Sequence, residues 1–109
     1  MTLPKNTVLL KIYLGESDCW ENMPLYEFII RKARETGLAG ATLLRGSMGF
    51  GTSHRIHTAK ILDLSTDLPV VVEMVDVEDR IYKFAEEIRP LLKGSLVTLE
   101  NVRVLYHSP

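Results

Sequence analysis

Apolar runs separated by glycine, proline and polar breaks predict four strands. Three of them are rich in aliphatic and β-branched residues, which is typical of core strands; they span residues 7–14 (TVLLKIYL), 40–45 (GATLLR) and 68–76 (LPVVVEMVD). The fourth is predicted over residues 96–106 (LVTLENVRVLY), where the apolar alternation changes phase near Glu100 and Asn101 and indicates a bulge or bend. Residues 59–65 (AKILDLS) are a further short strand candidate.

Two other segments, residues 23–37 and 77–92, have apolar residues at helical spacing. The apolar faces consist of Leu25, Phe28, Ile29 and Ala33 in the first segment, and of Val77, Ile81, Phe84, Ile88 and Leu91 in the second. We expect Asn22 and Asp76 to cap the helix N-termini and Gly37 to end the first helix in the left-handed conformation.

The predicted order, βαββαβ, is that of an α+β ferredoxin-like sandwich, in which two helices cover one face of a four-stranded antiparallel sheet. The core strands carry apolar side chains on both alternating faces, although two helices can cover only one of them. A large apolar surface usually marks an interface. We therefore expect a homo-oligomer in which the sheets of several copies pack together.

Composition limits the classes of function. A length of 109 residues predicts one domain over residues 1–109, and the net charge of −1 argues against a nucleic-acid partner. A single cysteine, Cys19, excludes an intrachain disulfide and favours the cytoplasm. No apolar run approaches the roughly 20 residues of a membrane span, and the N-terminal run is too short for a signal peptide. We expect no enzyme, since no acid–base pair or nucleophile motif stands out.

The segment LRGSMGFGTSHRIHT, residues 44–58, is long for a connection between core strands and carries binding chemistry. Gly49 and Gly51 allow backbone conformations in which successive N–H groups form a nest for an anion. Charge and hydroxyl donors for a phosphate site are available from Arg45, Arg55, Lys60, Ser47, Thr52 and Ser53. The alternative is a flexible hairpin tip, because the segment matches neither a dinucleotide fingerprint nor a Walker loop.

Two further features have alternative interpretations. His54 and His57, three residues apart, are able to share a divalent metal ion on one helical turn, with Glu16 as an additional ligand, or to be ordinary solvated histidines. Trp20, the only tryptophan, either packs in a groove between subunits or stacks on a base.

The stretches GLAGATLLRG, GFG, SHRIHT and LSTDLPVVVE together resemble the small PII-like proteins grouped as "domain of unknown function 190" (DUF190), over residues 9–104. The resemblance implies a PII-like trimer with the sheets facing inward, and an adenine nucleotide (ADP or ATP, with Mg²⁺ as an accompanying ion) in clefts between subunits. It also implies that loop 46–60 closes over the ligand and switches the binding of a protein or membrane-transporter partner. Lys93 and Gly94, in LLKGSL, take the place of a second phosphate loop.

On this resemblance the predicted nucleotide-binding residues are Arg45, Gly46, Gly49, Phe50, Gly51, Ser53, His54, Arg55, His57, Lys93, Gly94 and Arg103. The chain departs from the PII pattern in its shorter phosphate loop and in having no tyrosine between Tyr26 and Tyr82 for covalent modification. Arg103, Tyr106 and His107 in the C-terminal tail are expected near the cleft. A divalent-metal-responsive trimer with His54, His57 and Glu16 as ligands is the second hypothesis.

Overall fold

The computed structural model describes residues 6–51, 56–58 and 67–108. In chain order its elements are β1 (Thr7–Gly15), β2 (Cys19–Trp20), β3 (Met23–Pro24), α1 (Leu25–Glu35), β4 (Thr42–Arg45), β5 (Met48–Gly49), β6 (His57–Thr58), β7 (Pro69–Val77), α2 (Glu78–Ile88), a 3₁₀ turn (Arg89–Leu91) and β8 (Leu96–Asn101). The four longer strands and two helices confirm the predicted βαββαβ order. The predicted short strand at 59–65 lies outside the described residues.

The main sheet has the order β4-β7-β1-β8, and every neighbouring pair is antiparallel. The central strands β1 and β7 are paired from Thr7 and Val77 to Gly15 and Pro69. Strand β7 therefore lies between β1 and β4, which is the arrangement of the ferredoxin-like split βαβ fold. Two short ribbons, β2–β3 and β5–β6, accompany the sheet.

The core lies between the helices and one face of the sheet. Alternate residues of the two central strands are buried there, as a period of two requires. The buried apolar residues are Val8, Leu10, Ile12, Leu14, Leu25, Ile29, Ala33, Val70, Val72, Met74, Ile81, Phe84 and Ile88. Both helices contribute one apolar stripe to this core, so their predicted amphipathic faces are confirmed.

The opposite face of the main sheet, called here the open face, carries no helix. Tyr13 pairs with Val71 on one side and with Leu96 on the other, and Val71 pairs in turn with Leu44, so these four side chains share that face. Leu44 and Leu96 are 48% and 61% exposed. The structure thus places apolar side chains on both faces of the sheet, as the sequence indicated.

The predicted helix caps are wrong at both N-termini. Helix α1 follows Pro24 without a side-chain cap, while Asn22 lies in the two-residue turn between β2 and β3. Glu21 and Asn22 have positive φ values of 49° and 66° there, which the tight hairpin turn requires and asparagine tolerates better than most residues. Gly37, with φ of 81°, ends α1 in the left-handed conformation as predicted.

Asp76 connects two elements instead of capping α2. Its carboxylate accepts hydrogen bonds from the backbone N–H groups of Ala39 at 2.9 Å and Val77 at 2.7 Å, and it lies 3.5 Å from a guanidinium nitrogen of Arg80. The side chain is therefore already engaged by the α1–β4 loop, and α2 begins after Val77 without a side-chain cap.

Strand β8 ends at Asn101, five residues before the predicted end at residue 106. The phase change near Glu100 and Asn101 marks this end, and among the described residues no further strand follows it. The chain nevertheless stays beside β1, because the N–H of Val102 donates to the Thr7 carbonyl at 3.1 Å and the Thr7 hydroxyl donates to the Val102 carbonyl at 2.7 Å.

Candidate functional site

A cleft of about 930 Å³ lies at the end of the sandwich where β1 terminates and where β7 and β8 begin. Five parts of the chain meet there because β7, β1 and β8 are neighbours in the sheet. The lining residues lie in segments 13–15, 18–19, 49–51, 67–70 and 91–96, together with Leu25. The cleft is therefore built by turns on a rigid sheet, which is a common position for a binding site.

The cleft brings together the two predicted phosphate-binding segments. Gly49, Phe50 and Gly51 line it from one side, and Lys93 and Gly94 line it from the turn before β8. Gly94 has a φ of 75°, and the N–H of Ser95 closes this turn onto the carbonyl of Leu92 at 3.2 Å. The position of these residues in one cleft is the main agreement between the predicted site and the structure.

Arg45 and Gly46 lie beside the cleft and do not line it. The Arg45 guanidinium donates a hydrogen bond to the Glu16 carboxylate. This hydrogen bond and the charge of Glu16 raise the pKa of Arg45 above its ordinary value, with a smaller contribution from Tyr26. The Gly46 N–H donates to the Pro69 carbonyl at 2.7 Å. Arg45 is thus engaged by an acidic side chain in this structure.

The remaining predicted residues are not brought into the cleft. Ser53, His54 and Arg55 lie outside the described residues, and His57 is described as the backbone partner of Gly49 in the β5–β6 ribbon. Arg103 follows β8 at the opposite end of the sheet, since Asn101 pairs with Val8 near the start of β1. Strand β1 is nine residues long, roughly 30 Å at about 3.3 Å per residue, so Arg103 cannot reach the cleft of its own chain.

Sequence reasoning missed two acidic residues in the cleft, Asp18 and Asp67. The Gly15 N–H donates to Asp18 at 2.9 Å, and the Ser17 N–H donates to Asp67 at 2.9 Å. Both carboxylates converge over Gly15, where an added Cβ would lie 3.0 Å from Asp67 Oδ1 and 3.4 Å from Asp18 Oδ1. The available signal was weak, because aspartate is common in turns whether or not it binds a ligand.

The cleft offers several kinds of contact to a ligand. Leu14, Leu25 and Leu96 provide apolar surface, Lys93 provides a positive charge, and the two carboxylates provide strong acceptors. This combination suits a ligand that has an apolar ring, hydroxyl or amine donors and an anionic group.

The described part of the chain gives little support to a metal site or a membrane span. Within it, no group of three or more histidine, cysteine, aspartate or glutamate side chains is arranged to hold a metal ion, and Glu16 is engaged by Arg45. No helix in that part is long and apolar enough to cross a membrane.

The sheet order and the cleft at the strand ends define a PII-like ferredoxin-fold protein. The chain belongs to the family DUF190, described as "Uncharacterized ACR", whose model matches residues 7–104. It is 42% identical over 98 residues to a UPF0166 protein of Aquifex aeolicus, covering 90% of this chain and 92% of that protein.

Two solved structures show the same fold. CPII of Thiomonas intermedia K12, bound to ADP and bicarbonate, matches with a TM-score of 0.67 and 18% identity, over 90% of this chain and 87% of that one. A PII-like signaling protein of Thermus thermophilus, described as putative in its name, matches with a TM-score of 0.62 and 17% identity, over 90% and 88%. At these identities the similarity establishes the fold, and the ligands of CPII belong to that protein.

Proposed function

We propose that this protein is a non-enzymatic, PII-like regulatory protein of the cytoplasm that binds ADP or ATP. The nucleotide occupies clefts between the subunits of a homotrimer, each subunit being a single domain over residues 1–109. Loop 46–60 then switches the binding of a protein or membrane-transporter partner. The observation that carries the proposal is the position of Gly49–Gly51 and Lys93–Gly94 in one cleft. The same fold in CPII, which was solved with ADP, supports the choice of ligand.

In the proposed complex the phosphates lie near Lys93 and the backbone N–H groups around Gly49–Gly51 and Gly94. Lys93 contributes a point charge, and backbone N–H groups in a turn form a concave anion site. Asp18 and Asp67 disfavour a phosphate in their immediate surroundings and favour hydroxyl or amine donors. Mg²⁺ suits the site as an accompanying ion because it usually binds through phosphates and one or two carboxylates.

The open face supports the trimeric part of the proposal. Tyr13, Val71, Leu44 and Leu96 lie together on it, and burial against other copies removes their apolar surface from water. Trimer formation also offers a role for Arg103, because a residue that cannot reach its own cleft is free to approach the cleft of a neighbouring copy. For the switch to operate, the nucleotide must bind one state of the loop more tightly than the other.

Calorimetric titration and thermal unfolding with ATP, ADP, AMP and cyclic AMP, with and without Mg²⁺, test this function. A ligand at 100 times its Kd adds about 2.7 kcal/mol and moves the midpoint by several degrees or more. Lys93→Ala is expected to weaken nucleotide binding by about 1.5–3 kcal/mol, since it removes a charged hydrogen-bond donor. Lys83→Ala, on the exposed surface of α2, is the matched control and is expected to bind normally.

The same experiment decides against the proposal if no adenine nucleotide binds, or if Lys93→Ala and Lys83→Ala bind equally well. A stabilising effect of Zn²⁺ alone that disappears in the His54→Ala/His57→Ala double variant supports the metal-responsive trimer instead. In that case the cleft residues would not be required for the response.

A further inference from the structure

We infer that the Glu16–Arg45 ion pair is a clasp at the rim of the cleft, and that an anionic ligand opens it by taking Arg45 as its own partner. The inference rests on the proposed function, because the phosphate groups of the bound nucleotide are the anion. It adds a mechanism by which occupation of the cleft is transmitted to the end of β4.

The clasp joins the ends of strands that are not direct neighbours. Arg45 is the last residue of β4, Glu16 follows β1, and the start of β7 lies between them in the sheet. The Glu16 N–H donates to the Leu68 carbonyl at 2.8 Å, and the Gly46 N–H donates to the Pro69 carbonyl at 2.7 Å. Backbone hydrogen bonds therefore hold both sides of the clasp against the same short segment.

The clasp is adjacent to the ligand site on both sides. Glu16 is preceded by Gly15, which lines the cleft, and Gly46 contacts Pro69, which also lines it. Among the described lining residues Lys93 carries the positive charge, whereas Asp18 and Asp67 are negative. A phosphate group in the cleft would consequently gain from a second cation, and Arg45 is one at its rim.

The ion pair is accessible enough to exchange partners. The Arg45 side chain is 51% exposed and the Glu16 side chain is 22% exposed. Exposed ion pairs contribute little to stability, so opening the clasp costs little. A phosphate offers the planar guanidinium the same bidentate geometry as a carboxylate, with additional negative charge. Exchange from Glu16 to phosphate is therefore feasible without disruption of the core.

Opening the clasp changes the contacts at the base of the candidate loop. When Arg45 leaves Glu16, the link across the start of β7 is lost, and Gly46 keeps its position through the backbone hydrogen bond to Pro69. The side chain of Arg45 then belongs to the ligand site, while Glu16 becomes available to water or to a partner. Ligand binding is thus expected to expose one carboxylate and to bury one guanidinium at this rim.

Calorimetric titration of the intact chain with ADP tests the clasp through the sign of one change. Glu16→Gln removes the competitor for Arg45 and is expected to tighten ADP binding by about two- to fivefold, the range that follows from the strength of exposed ion pairs. Arg45→Gln is expected to weaken binding. In the Arg45→Gln background, Glu16→Gln is expected to have no further effect, because the two residues act as one pair.

The matched control is the exposed pair between Arg31 and Glu27, which has the same residue types, a distance of 2.9 Å and a position on α1. Glu27→Gln is expected to leave the ADP affinity unchanged. If Glu16→Gln fails to fold, Glu16→Asp, which keeps the charge and shortens the side chain, is expected to tighten binding in the same direction.

Two results overturn the inference, and they differ from each other. ADP binding by the wild type together with unchanged or weaker binding by a folded Glu16 variant shows that Glu16 does not compete with the ligand, and leaves the nucleotide-binding function intact. Absence of ADP binding by the wild type removes the proposed function, and the clasp mechanism with it.

Discussion

Gly46 lies so close to Pro69 that an added Cβ atom would be 2.9 Å from the proline Cγ and 3.3 Å from its carbonyl oxygen. Real Cβ atoms are essentially never found at the shorter of these distances, so a side chain at residue 46 forces a neighbour to move. Since the Gly46 N–H also donates to the Pro69 carbonyl, the chain after β4 is fixed closely to the start of β7.

We therefore expect Gly46→Ala to lower the free energy of unfolding by about 1–3 kcal/mol, the usual range for overpacking. Urea denaturation measures the change. Gly40→Ala is the matched control, because no atom lies within 4 Å of an added Cβ at residue 40. The control is expected to be neutral or more stable by up to about 1 kcal/mol. Equal destabilisation of both variants would contradict the close contact.

Gly37 needs its glycine for a different reason, which is its φ of 81°. Gly37→Ala is expected to destabilise the fold by about 1–2 kcal/mol, the cost of an L-residue with a side chain in the left-handed region. Gly37→Asn is expected to cost less, since asparagine tolerates this region. Thermal unfolding of the three proteins checks the order, and a variant Gly37→Ala as stable as the wild type would refute it.

Asp76 holds the α1–β4 loop against α2, and we expect Asp76→Ala to be among the more destabilising polar substitutions. The change leaves the N–H groups of Ala39 and Val77 without their acceptor and Arg80 without its charge partner. The expected loss is about 1–3 kcal/mol in the free energy of unfolding. Asp79→Ala, on the exposed first turn of the same helix, is the control and is expected to lose less than half as much. Similar losses would show that Asp76 acts only through the helix dipole.

The open face provides a test of assembly. Val71→Arg places a charge among Tyr13 and Leu44, its direct cross-strand partners. If copies of the chain pack through this face, the substitution is expected to convert the homotrimer into smaller species, as measured by light scattering after size-exclusion chromatography. Tyr82→Arg, at an exposed position of α2, is expected to leave the oligomer intact. An unchanged mass for Val71→Arg would exclude this face as the interface.

Periodicity predicted the elements that bury a regular apolar pattern. Strands β1 and β7 and both helices appeared at the expected positions, because alternation and helical spacing follow directly from how each element meets the core. The caps at Asn22 and Asp76 were wrong, since each residue found a tertiary or turn partner that the local pattern does not encode.

The site was less accessible to sequence reasoning. Lys93 and Gly94 were placed beside Gly49 and Gly51 by resemblance to a family, whereas their proximity depends on the order of strands in the sheet. For the same reason the pairing of Arg45 with Glu16 was not foreseen, because it requires β7 to lie between β1 and β4.

Trp20 also lies at the edge of the cleft, directly after the cleft residue Cys19, with its ring 6.3 Å from that of Phe28 and 39% of its surface exposed. Because the chain contains one tryptophan, its fluorescence arises from this single position. The protein thus has an intrinsic optical probe beside the candidate site, and entry of a ligand is expected to change the emission of the unlabelled wild type.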